Sequence, residues 1–75
     1  MDMQHMHTMY ETGRLIDAVA IPSREDHGWH LDCHDLWGHT LHLTTTQGRP
    51  CNFHTLDAAS AAAQRIGFNE MRIAE

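Results

Sequence analysis

The sequence predicts an α+β fold: an antiparallel sheet of three to five strands with one helix packed on one face, in the order β-β-β-(β)-α-β. Three observations carry this. Two stretches, 29–34 and 39–44, alternate apolar and polar residues and are separated by hairpin spacing. An Ala-rich run is bracketed by Thr55 and Gly67, a helix start and stop signal. The chain has 75 residues, of which 41% are apolar, which fits one small domain. Residues 1–12 are read as a flexible N-terminal arm and residues 13–75 as the domain.

The arm, MDMQHMHTMYET, has no helical or strand period. The run from Arg14 to Ile21 is rich in β-formers and stops at Pro22, so it is the first strand. Ser23 to Gly28 is turn chemistry. The hairpin follows, with Asp35, Leu36, Trp37 and Gly38 between its strands. Only odd-with-odd pairing keeps Trp29, Leu31, Cys33, Leu41 and Leu43 on one face. Setting Leu31 opposite Leu41 then places Cys33 by His39, His30 opposite His42, and Asp32 beside Thr40. Pro50 to His54 reads as a short edge strand with Cys51 and Phe53 inward. Thr55 caps a helix that runs to Ile66. Gly67 ends it, and Phe68 folds back on the last turn. Met71 and Ile73 alternate with Glu70 and Arg72 as a last strand.

Ten carboxylates face five arginines and no lysine, for a formal net charge of -5. Such a balance argues against direct nucleic-acid binding, which uses a basic face. It favours a partner with a basic surface. Eight histidines qualify this, because protonating all of them below about pH 6.5 would take the charge from -5 to +3. The apolar runs are short, so neither a membrane span nor a signal peptide is expected, and the chain reads as cytoplasmic. A domain this small buries roughly 60% of its unfolded surface and leaves little room for an enclosed active site. A non-enzymatic binding module, monomeric or homodimeric, is the expectation, with no cofactor.

The histidines are the main candidate chemistry. His30 and His42, with His34 or Asp32 as a third ligand, could hold Zn, Ni or Cu on the outer face of the hairpin. Met3, His5, Met6, His7 and Met9 resemble the soft-ligand segments of Cu(I) carriers. Strand parity divides the remaining ligand types between two faces, which makes metal binding the alternative reading. Cys33 and Cys51 lie too far apart for a disulfide and read as reduced core residues. Cys33 beside His39 is a conceivable nucleophile and base pair, but both would point into the core and no oxyanion donor can be named.

The candidate partner-binding surface is the carboxylate-rich first turn and hairpin end: Glu25, Asp26, Asp32 and Asp35, with Glu11 and Asp17 nearby. At the hairpin loop, Leu36 and Trp37 have no obvious core partner, and Trp is the residue that most often dominates an interface. The segment from Phe53 to Phe68, FHTLDAASAAAQRIGF, resembles the strand-Thr-helix-Gly unit of many small plasmid and phage proteins. In size, acidity, lack of lysine and α+β architecture the chain is similar to the phage- and plasmid-encoded anti-CRISPR proteins. That resemblance implies a non-catalytic inhibitor that occupies a protein or ribonucleoprotein surface. It assigns no individual residue.

Overall fold

The hairpin and the capped helix set the frame of the computed structural model, which describes residues 1–24 and 27–74. Its elements are α1 (Met3–Glu11), β1 (Leu15–Pro22), β2 (Trp29–Asp35), β3 (Thr40–His42), α2 (Leu56–Ile66) and β4 (Arg72–Ile73). The strands form one sheet in the order β3-β2-β1-β4. β1–β2 and β2–β3 are antiparallel, whereas β4 runs parallel to β1. The sheet is therefore mixed and not wholly antiparallel. β3, α2 and β4 make a helical crossover, and a helix laid over a sheet returns the chain in its original direction.

α2 forms as its caps dictate. The Thr55 hydroxyl accepts the Ala58 N–H, and Asp57 lies in the first turn and Arg65 in the last, each matching the helix dipole. Gly67, at φ 139°, ends it, and the Gly67 and Phe68 amides both donate to the Ala63 carbonyl. Ala59, Ala62, Ala63 and Ile66 are buried, and their small side chains let the helix lie close to β1 and β2.

The N-terminal segment is a helix and not an arm, so the fold has two helices. Asp2 is the N-cap and accepts the His5 N–H at 3.0 Å. At the other end Gly13 donates to Tyr10 and Arg14 to Met9, the paired bonds of a Schellman stop with Gly13 at φ 74°. Only Met6 is buried, and it is completely so. Tyr10 packs edge-on against Phe68, with ring centroids 4.8 Å apart. His7 ties α1 to α2 through Nδ1, which lies 2.8 Å from the Ile66 carbonyl.

The core lies between the helices and one sheet face. It is made of Met6, Ala18, Leu31, Cys33, Leu43, Ala62, Ala63 and Ile66, with Leu15, Leu41, Cys51, Phe53 and Phe68 packed around it. A bulge at Ile16 makes this possible: Leu15 pairs with Asp35 but Asp17 pairs with His34. The extra residue resets parity, so Leu15 joins the core while Asp17 turns to the other face. The 50–54 segment is not a continuous strand. It is held by isolated bridges, Thr44 with Pro50 and Trp29 with Phe53. Cys51 and Phe53 still reach the core.

Candidate functional site

Odd pairs with odd in the hairpin, but two residues away from the expected register. Asp32 pairs with His42, Cys33 with Leu41 and His34 with Thr40. His30 and His42 are therefore not opposite neighbours, and Cys33 does not face His39. The cause is Asp35. Its backbone N–H donates to the His39 carbonyl, closing a three-residue loop, and Gly38 takes φ 86° with its N–H on the Asp35 carbonyl. Its side chain completes the turn: Oδ1 accepts the Trp37 and His39 amides at 2.9 and 2.8 Å, and Oδ2 lies 3.0 Å from His39 Nδ1.

Asp35 is thus buried inside the turn, where it fixes the geometry and presents no surface for a partner. Burial pushes its carboxyl up, but the bonds from His39 and Trp37 outweigh that and hold it below the ordinary 3.8. A carboxyl depressed on folding adds stability that is present above its unfolded value. That stability is lost as the pH falls through 3.8 and below. The Trp37 and His39 amide resonances are expected to shift in that window, and Asp35→Asn should flatten the change. An unaltered acid response in Asp35→Asn would place the effect elsewhere.

With Asp35 turned inward, the loop exposes apolar groups. Leu36 is 59% exposed and Trp37 64%, the most exposed large apolar side chains at this end of the sheet. Trp37 does not fold over the core. The Leu36 N–H donates to the Arg14 carbonyl, anchoring the tip to the start of β1, where Ile16 is also exposed.

The sheet face away from the helices carries the polar network. His34 Nδ1 lies 2.7 Å from Asp17 Oδ1, and Arg72 lies 2.9 Å from Asp17 Oδ2, linking β2, β1 and β4. His42 Nδ1 lies 2.8 Å from Asp32 Oδ1 across β3 and β2. With His5 on Asp2, His7 on Glu11 and His39 on Asp35, five histidines bond a carboxylate among the described residues. In this lysine-free chain imidazole takes the place of the usual ammonium partner. The expected acidic patch is dispersed accordingly: Asp32 and Asp35 are buried and bonded, and Glu25 and Asp26 lie outside the described residues.

His30, His34 and His42 share the outer face but do not converge. Among the described residues no three His, Cys, Asp or Glu side chains are placed to hold a metal ion. Cys33 and Cys51 are free thiols. Burial, with the Asp17 and Asp32 charges behind it, pushes the Cys33 thiol up to about 12, far from a nucleophile. No described helix is long and apolar enough to cross a membrane. The signals that sequence reasoning passed over were the Asp2–Gly13 capping pair and the power of an aspartate before a Gly-containing loop to set hairpin register. No protein-family model, curated protein or solved structure matches the chain.

Proposed function

We propose that the protein is a non-catalytic interaction module acting in the cytoplasm, an inhibitor of the anti-CRISPR kind that binds a protein or ribonucleoprotein partner. The observation that carries this reading is the exposed Leu36–Trp37 pair on a turn held by Asp35. A rigid, preformed aromatic anchor loses little entropy on binding, and such residues carry most of an interface's energy. The net charge of -5 supports attraction to a basic partner at long range, while the apolar tip makes the contact.

The test is binding of purified CRISPR effector ribonucleoproteins to the immobilised protein. Trp37→Ala is expected to weaken capture about 30-fold, the effect of a hot-spot residue worth about 2 kcal/mol. Capture unchanged in Leu36→Ala/Trp37→Ala would remove the tip from the interface, and failure of the wild-type protein to bind any such complex would remove the inhibitor reading.

A further inference from the structure

The hairpin that carries the exposed tip also forms one edge of the sheet. β3 lies outermost in the order β3-β2-β1-β4, so one side of its backbone faces no strand. Two bonds establish which groups lie on that side. Asp35 N–H donates to the His39 carbonyl and Leu43 N–H to the Leu31 carbonyl, so residues 39, 41 and 43 direct backbone groups at β2. In an antiparallel strand these groups alternate sides, and those of Thr40 and His42 point away from the sheet.

Part of this edge is already taken. The Met1 α-ammonium donates to the His42 carbonyl at 3.2 Å, and the Met1 carbonyl accepts the Thr44 N–H at 2.8 Å. Met1 thus bonds to β3 as one residue of an added strand does. Toward the tip the row continues without a partner. Among the described residues nothing bonds to the Thr40 N–H, the Thr40 carbonyl or the His42 N–H. Both residues are exposed, and β3 has none of the lysine, proline or inward charge with which proteins block an open edge.

We propose that an extended segment of the protein partner adds to this edge as a fifth strand. It runs from His42, where Met1 closes the row, past Thr40 to Gly38 and Trp37. The inference rests on the reading of the chain as a binding module, and it names what that module takes: an extended peptide backbone. Two observations select this occupant. The edge leads into the loop that bears Leu36 and Trp37, so one segment reaches both. The groups on offer are backbone N–H and C=O at strand spacing, which another extended peptide matches rung for rung. Backbone bonds supply affinity, Thr40 and His42 meet side chains of the added strand on the outer face, and Leu41 meets those on the core side. The other edge, β4, has two residues and lies across the sheet from the tip.

The test offers purified CRISPR effector ribonucleoproteins to the immobilised protein and compares Thr40→Pro with Thr40→Val. Thr40 is the first residue of β3 and its N–H faces outward, so proline removes that donor and leaves the bonds to β2 in place. Thr40→Pro is expected to weaken capture about tenfold and Thr40→Val to leave it unchanged. Hydrogen exchange of the wild-type protein gives a second reading that needs no variant. His39 N–H is held by Asp35, and Leu41 and Leu43 face β2, so Thr40 and His42 are the fast amides of 39–43. In the complex they should slow by about tenfold or more. Three results would each overturn the added strand while the Trp37 tip stands: capture by Thr40→Pro equal to wild type, an equal loss in Thr40→Val, or Thr40 and His42 amides that stay fast in the complex. No capture by the wild-type protein would remove the inhibitor reading and this inference with it. Should Thr40→Pro fail to fold, the exchange measurement decides.

Discussion

Replacing Met6 with alanine is expected to destabilise the protein by about 3 kcal/mol. Met6 is the one fully buried side chain of α1 and lies in the core with Leu31, Cys33, Ala63 and Ile66. Truncation loses the transfer energy of the thioether chain and leaves a cavity between two helices that cannot both close on it. A chain of this length has roughly 4–11 kcal/mol of stability in all. The loss is therefore a large share of the total, read as a fall in melting temperature of roughly 12–24 °C. A shift of a degree or two would mean that residues 3–11 are not docked, and that the segment behaves as the arm its composition suggests.

Gly28→Ala should cost a similar amount, about 3 kcal/mol, for a different reason. A Cβ at Gly28 would lie 2.5 Å from the Phe53 carbonyl oxygen and 2.9 Å from the Asn52 side-chain amide. That carbonyl accepts the Trp29 N–H at 2.7 Å, and the Phe53 N–H returns a bond to Trp29 at 2.8 Å. The obstacle is backbone, and it cannot retreat without breaking both bonds that tie Phe53 to Trp29. Phe53 and Cys51 would leave the core with it. Urea denaturation measures the loss directly. Stability within about 0.5 kcal/mol of the wild type would show that this segment is free to move.

Parity in the hairpin was legible because one face of β2 and β3 is buried, and a slip by one residue would put Leu31 and Cys33 into water. A slip by two leaves every side chain on its own face, so hydrophobic pattern is blind to it. Turn chemistry made that choice through Asp35, and the choice decided the site: it gave Asp32 to His42 and separated His30 from its expected partner. The exposure of Leu36 and Trp37 was legible because neither fits the alternation around it. The burial of Asp32 and Asp35 was not, because composition counts a buried, hydrogen-bonded carboxylate and an exposed one alike.

α1 was hidden because MQHMHTMYE buries one residue, too few to mark a helical period. Its stability comes from docking Met6 and Tyr10 on α2 and the following Phe68, contacts between residues about 60 positions apart in the chain.

The sequence by itself determined α2, the existence and facing of the hairpin, and the exposure of a Leu-Trp loop, since capping and alternation act over a few neighbouring residues. Only the tertiary structure decided the parallel placement of β4, the bulge that turns Asp17 out of the core, the hairpin register and the pairing of histidines with carboxylates. Each of these depends on which distant segments meet, and local periodicity carries no record of that.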